Sequence, residues 1–234
     1  MADADHMRRY WNDRARENAN YFVDNRLDYQ NGDDAQFWEM GAVDLGKLFE
    51  LLEVSPGPDD VVLDVGCGVG RLLKALAPQA GSVIGIDVSS EMIALAEKNL
   101  AGLDVTLHVG DGTGLQPVAD SSVDGVVSLV VFQHIPDPKI TLGYVREMGR
   151  VLRPGGWAAF QVSNDPSIHT AEYEKAPLLK RMLGRAPRGQ QDAAWRGSAV
   201  TLEDLGAAAT EGGLEVEKIV GDGTQYCLVR LRRS

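Results

Sequence analysis

From residue 61 onward the chain alternates short apolar runs with longer amphipathic segments, and this rhythm constrains the fold more than any other feature. VVLDV (61–65) is followed by GRLLKALAP, and SVIGID (82–87) by SSEMIALAEKNL. VTLHVGD (105–111) leads through a loop to VDGVVSLVV (123–131), PKITLGYVREMGRVL (138–152) has helical spacing, and WAAFQVS (157–163) is a further apolar run. Strands that read as near-continuous apolar runs are buried on both faces, which requires a mostly parallel sheet covered by helices above and below. Right-handed crossovers then make the sheet doubly wound. The rhythm breaks at the end, where Thr201 stands as the N-cap of TLEDLGAAATEGG. The strands LEVEKIV and YCLVRLR follow, separated only by GDGTQ, and so short a connection requires an antiparallel hairpin. The expected fold is α/β: a doubly wound, Rossmann-like, seven-stranded and mostly parallel sheet with an antiparallel last strand.

The first 53 residues read as helical, with Tyr10, Trp11, Tyr21, Phe22, Phe37 and Trp38 interleaved. DYQNGDDAQ (28–36) interrupts them with a turn-favouring Asn-Gly, and SPGPDD (55–60) is a loop. A chain of 234 residues is long enough for one substantial core. No apolar run approaches the roughly 20 residues needed to span a bilayer, and the N-terminus lacks the apolar core of a secretory signal. A cytoplasmic location is expected. The two cysteines, Cys67 and Cys227, are too few and too far apart for a disulfide framework or a metal site, and both are expected reduced. A formal net charge of −11 repels phosphate backbones and argues against nucleic acid as a partner. The charge is uneven: residues 1–60 hold 14 acids against 6 bases, whereas residues 165–198 hold 4 acids against 6 bases.

Within this frame the first strand ends in Gly66-Cys67-Gly68-Val69-Gly70 and a helix opens at once. A glycine-rich turn at the carboxyl end of the first buried strand is where doubly wound folds receive a nucleotide-like ligand. Its glycines let the backbone come close and point N–H groups at that ligand. Three acids sit at three successive strand ends. Asp64 precedes the loop, where a carboxylate can hold the turn or receive a positively charged group. Asp87 ends the second strand, where it can accept hydrogen bonds from both hydroxyls of a ribose. Asp111 ends the third, placed to meet the amino group of an adenine. Helix capping or loop solvation explains any one of them; three in series are harder to explain so. The loop spacing is G-x-G-x-G rather than the dinucleotide G-x-G-x-x-G/A, and the phosphate-gripping G-x-x-x-x-G-K-[ST] is missing.

VVLDVGCGVGRLL, VIGIDVSSEMIALAEKN, VTLHVGDGTGLQPVADSSVDGVVSLVVFQHIPDP and REMGRVLRPGGWAAFQV run in that order between about residues 59 and 163. They resemble the successive motifs of class I S-adenosylmethionine-dependent methyltransferases, in the small-molecule branch that includes the ubiquinone and menaquinone biosynthesis enzymes. The closing helix and hairpin resemble the same family, whose seventh strand is inserted antiparallel beside the sixth. The resemblance implies S-adenosyl-L-methionine as cofactor and S-adenosyl-L-homocysteine as product. It places the methionine part over Gly66, Cys67, Gly68 and Gly70, with Asp64 at the loop's entrance. It places the ribose at Asp87, the adenine at Asp111 and Gly112 with Val88 and Leu115 flanking the ring, and the sulfonium side at Val130 to Gln133.

Methyl transfer to a hydroxyl needs a group that receives a proton. His134, in VFQHIPDP just past the fourth strand, is the leading candidate, since an imidazole titrates near working pH. The alternative is that it braces the loop before Pro136. His169 is a second candidate, His108 lies within a strand as a structural residue, and His6 sits in the N-terminal tail. No metal is implied: Asp33–Asp34 and Asp59–Asp60 read as solvated turns. Asp137, Asn164 and Asp165 leave a narrow opening for a metal-assisted mechanism. For the acceptor, Tyr10, Trp11 and Tyr21 supply apolar surface or simply pack a helix onto the core. The stretch 164–199 adds Tyr173, Trp195 and Arg196, with Lys180, Arg181, Arg185 and Arg188, which suits an anionic or sugar acceptor or a solvated helix face. The chain thus divides into a helical extension or lid (1–58), a cofactor-binding core (59–163), a substrate-cap insertion (164–199), and the core's final helix and hairpin (200–234). The expected activity is methylation of a small molecule, at oxygen before nitrogen or carbon: a secondary metabolite, sugar or quinone-like compound. A methyltransferase of protein or RNA and a non-catalytic cofactor-binding protein are the competing readings. No membrane partner is expected, and the oligomeric state is open.

Overall fold

The computed structural model describes residues 2–168 and 186–234. His169 and Tyr173, with Lys180, Arg181 and Arg185, lie outside the described residues. Helix α1 spans Ala2–Val23 with a kink at Asn18, and α2 spans Asp34–Leu52. The central elements follow in alternation: β1 Val61–Val65, α3 Arg71–Leu76, β2 Ser82–Asp87, α4 Ser90–Asn99, β3 Val105–Val109, β4 Val123–Ser128, α5 Pro138–Val151 and β5 Leu152–Val162. After the undescribed stretch come a single helical turn, α6 Ala193–Arg196, then α7 Leu202–Glu211, β6 Leu214–Val220 and β7 Cys227–Arg233.

Among the described residues seven strands form one sheet in the order β3-β2-β1-β4-β5-β7-β6. The first five are mutually parallel, and β7 enters between β5 and β6 antiparallel to both. The order reverses between β1 and β4, which pair directly, so a crevice opens beyond their carboxyl ends. Alternate residues of each strand serve opposite faces. Leu63, Val65, Val126 and Phe160 pack with Val145 and Met148 of α5 and Leu205 of α7. Val62, Val127, Trp157 and Ala159 pack with Leu45, Leu48 and Leu52 of α2, Leu73 of α3 and Ile93 of α4. Helix α2 therefore forms part of the layer covering the sheet, although the sequence places it in an extension.

Most strand limits fall where the apolar runs place them, but β4 stops at Ser128. Leu129 to Val131 leave the ladder, Val130 takes φ +60°, and Phe132–His134 form a 3-10 turn. The apolar run VSLVV continues past the strand because its last residues wall a cavity. Thr201 caps α7 as expected, its hydroxyl accepting the Asp204 N–H at 3.0 Å. Among the described residues no helix is long and apolar enough to cross a membrane.

Candidate functional site

The glycine loop is closed by its own hydrogen bonds. Gly66 and Cys67 donate to the Ile86 carbonyl at 2.8 and 3.1 Å, Gly68 donates to Asp87 Oδ2 at 2.9 Å, and Gly70 donates to the Cys67 carbonyl at 2.9 Å. These N–H groups are not aimed at a ligand, contrary to the expectation from sequence. The glycines are required by geometry: φ is +74° at Gly66 and +91° at Gly70. A Cβ on Gly66 would collide with Val131, and one on Gly70 with Leu100.

The loop floors a cleft of about 980 Å³, its open mouth included. Asp64, Gly66, Cys67, Gly68, Asp87, Val88, Gly112 and Val130 line it together with Trp11 and His134. Asp64 is 1% exposed, and its Oδ2 takes no hydrogen bond among the described residues. Burial pushes its carboxyl up to about 7, with Arg71 opposing and Asp87 adding to the rise. Asp87 is pushed up to about 6, again by burial, against the N–H groups of Ser89 and Gly68 that its two oxygens accept at 2.8 and 2.9 Å. Burial also raises the Cys67 thiol well above its ordinary value.

Asp111 falls outside this wall. It is exposed, and its Oδ1 accepts from Thr113 N, Thr113 Oγ1 and Gly114 N at 2.7, 2.9 and 3.2 Å, so its carboxylate is folded onto its own turn. Leu115 is buried in the core and is not part of the wall. Tyr10 and Tyr21 do not reach the cleft either. The Tyr10 hydroxyl donates to the Gly189 carbonyl at 3.3 Å, and Tyr21 packs edge-on to Phe22 and Tyr29. These two tie α1 to neighbouring segments. The sequence reading missed Met7, Phe22 and Met92, which line the cleft, and Arg71, a buried base of the wall.

A second cavity adjoins the first through Phe22, Val23, Arg71, Leu129, Val130 and His134, which line both. Gln133, Trp195 and Arg196 belong to this second space, with Asp24, Arg26, Asp44, Lys47 and Gln225. Gln133, which the family pattern puts at the cofactor's sulfonium side, lines the second cavity and not the first. Arg71 is 4% exposed and pairs with Asp44 at 2.7 Å and Asp24 at 3.5 Å, while Arg26 bridges the same two acids. The His134 ring clusters with Trp11 and Trp195, at centroid distances of 5.6 and 5.0 Å, and the two indoles are themselves 6.3 Å apart. Its Nδ1 is 2.6 Å from the Trp195 carbonyl. A Cβ on Gly197 would overlap the Gln133 carbonyl, so α6 can seat against the 3-10 turn only with glycine there.

Residues 63–160 match a family model described as a methyltransferase domain. The chain is 31% identical over 163 residues to the ubiquinone biosynthesis O-methyltransferase of Nitrosospira multiformis, covering 68% of this chain and 64% of that protein. It is 32% identical to the enzyme of the same name from Pseudomonas entomophila, over 68% of this chain and 66% of that protein. The chain belongs to the class I S-adenosylmethionine-dependent methyltransferases. It spans about 64–66% of the length of these relatives. A crystal structure of a methyltransferase from Mesorhizobium loti shares the fold with a TM-score of 0.62 at 23% identity, over 82% of this chain and 99% of that one. The cofactor of this methyltransferase family, S-adenosylmethionine, bears an α-ammonium, a carboxylate, a ribose diol and an adenine. The cleft offers matching partners: a buried carboxylate oxygen without a donor at Asp64, a half-buried acid at a strand end at Asp87, and an apolar wall at Val88 and Met92. Among the described residues no cluster of three or more His, Cys, Asp or Glu side chains is placed to hold a metal ion. Asp137, Asn164 and Asp165 are engaged in capping and loop hydrogen bonds.

Proposed function

We propose that this methyltransferase methylates a hydroxyl oxygen of a small-molecule acceptor held in the second cavity, with His134 receiving the hydroxyl proton. The observation that carries this reading is that His134 and Val130 line both cavities, so they stand where a methyl donor in one would meet an acceptor in the other. Bound S-adenosylmethionine would supply an electrophilic methyl, which passes to the acceptor oxygen as the carbon–sulfur bond breaks and S-adenosylhomocysteine leaves. Asp64 receives the α-ammonium, Asp87 the ribose hydroxyls, and the wall at Val88, Met92 and Gly112 encloses the adenine. Cys67 and Gly68 back the methionine portion. Trp11, Phe22 and Trp195 exclude water from the junction, which strengthens the polar contacts made there. With Nδ1–H donated to the Trp195 carbonyl, His134 presents Nε2 as its basic atom. Arg196 of the second cavity suits an acceptor with an anionic group, and Trp195 a flat ring or sugar face. The relatives named for ubiquinone biosynthesis support a small aromatic hydroxyl acceptor.

Calorimetry tests the cofactor half: S-adenosylhomocysteine binds and NAD does not. Methyl transfer to a panel of phenols, hydroxylated carboxylates and sugars tests the rest. His134→Ala is expected to retain S-adenosylhomocysteine binding and to lower turnover by about 10²-fold or more. Undiminished turnover in that variant would return His134 to bracing its loop.

A further inference from the structure

Behind His134 lies a chain of two amides whose hydrogen bonds can run in only one direction. It begins at the Val130 N–H, which donates to Gln161 Oε1 at 3.1 Å. A backbone N–H cannot accept, so this contact fixes which end of the Gln161 amide is oxygen. Gln161 Nε2 then donates to the Gln225 carbonyl and to Gln133 Oε1, each at 2.7 Å. A carbonyl cannot donate, so the Gln225 contact independently gives the same orientation. With Gln133 Oε1 taken, its Nε2 is the atom that meets His134 Nε2, at 3.3 Å. That amide nitrogen only donates, and the imidazole nitrogen must accept. On the far side of the ring the Trp195 carbonyl accepts from Nδ1 at 2.6 Å. Both ends demand the same state: hydrogen on Nδ1 and a lone pair on Nε2.

We infer that Gln161 and Gln133 are positioning residues that hold His134 in the neutral, Nδ1–H form, with the Nε2 lone pair turned to the Gln133 amide until an acceptor hydroxyl takes that amide's place. Protonating Nε2 sets two donors against one another across the Gln133 contact, so the amide chain opposes the imidazolium. Gln161 is 1% exposed, lies in strand β5 and borders the second cavity, and its amide is engaged throughout by this network. Its oxygen also satisfies the N–H of Val130, a β-branched residue held at φ +60° at the junction of the two cavities. Charged groups nearby pull in both directions. Asp64 and Asp87 share the first cavity with the ring, and Arg71 stands in both. In the second cavity Asp24 and Asp44 are bridged by Arg26, while Lys47 and Arg196 add positive charge. Asp192, at the start of α6, is engaged by His6 at 2.7 Å. The amide chain differs from these in reading one nitrogen of the ring.

The inference rests on the reading of His134 as the proton acceptor, and its test uses the ring itself rather than turnover. Nitrogen-15 NMR of the uniformly labelled full chain, with His134 assigned by a His134→Gln control, reports both tautomer and titration. The wild type is expected to show the Nδ1–H tautomer, and its apparent pKa is the reference for the variants. Gln133→Glu places a carboxylate oxygen against Nε2 and is expected to raise that pKa by about one unit or more. Gln133→Met removes the opposing donor without adding charge and is expected to give a smaller rise. An Nε2–H tautomer in the wild type overturns the inference, and so does an unchanged pKa in a folded Gln133→Glu or Gln133→Met protein. A fixed tautomer together with undiminished turnover in His134→Ala would keep the amide chain and remove the catalytic base.

Discussion

At the scale of single residues, the cleft over the glycine loop is built from groups that are uncomfortable without a ligand. Asp64 carries a carboxylate oxygen that nothing in the described protein satisfies, and burial raises its carboxyl to about 7 and that of Asp87 to about 6. Acids whose folded pKa is raised bind protons more tightly in the folded than in the unfolded state. Their cost to stability is therefore absent below about pH 4 and grows as pH rises towards 6 and 7. A cationic ammonium relieves that cost, so S-adenosylhomocysteine should bind more tightly at pH 8 than at pH 5.5, measured by calorimetry at both. Asp64→Asn removes the buried charge. It is expected to raise the melting temperature of the ligand-free protein at pH 8, flatten its decline between pH 5 and 8 relative to wild type, and weaken S-adenosylhomocysteine binding about tenfold or more. A variant that binds as well as wild type would remove Asp64 from ammonium recognition. Asp64 was legible because an acid inside an apolar strand is rare. Asp111, equally conspicuous, turns its carboxylate to Thr113 and Gly114, since an Asp before a tight turn finds nearer donors in its own backbone.

At the scale of elements, the strands and helices were read closely, because a buried parallel strand and an amphipathic helix differ in period within a few residues. Where β4 would end was not legible. VSLVV is uniformly apolar, and the left-handed turn at Val130 follows from the Gln161 side chain, 31 residues further on. Nor was the role of α2 readable, since an amphipathic helix does not announce which face of a molecule it will cover. Arg71 links these elements: buried at the start of α3, it holds Asp44 of α2 and Asp24 of the connection after α1. Burial would raise the Asp44 carboxyl, but Arg26 and Arg71 bring it net below its ordinary value. Truncation to Arg71→Ala leaves those buried acids short of a partner and is expected to cost about 3 kcal/mol, read from the urea midpoint. A loss within about 0.5 kcal/mol would show that the network does not fasten α2 to the glycine loop.

At the scale of the molecule, α1 crosses the carboxyl edge of the sheet, and Met7, Trp11, Phe22 and Val23 close one side of the cleft. Ligand contact with those residues should slow amide exchange through α1 as well as in the glycine loop. Hydrogen exchange with and without S-adenosylhomocysteine measures this, and protection confined to residues 64–70 would mean that α1 does not cover the ligand. The sequence by itself determined the parallel sheet, its closing hairpin, the glycine loop after β1 and the acids at the strand ends beside it. Those are local matters of period, glycine geometry and the cost of burying a charge. Only the tertiary structure decided that Trp11, His134 and Trp195 meet, that Tyr10 and Tyr21 do not join them, and that Gln161 reaches His134 through Gln133. Those contacts join segments tens to nearly two hundred residues apart, and their direction follows from packing and from which atoms can donate.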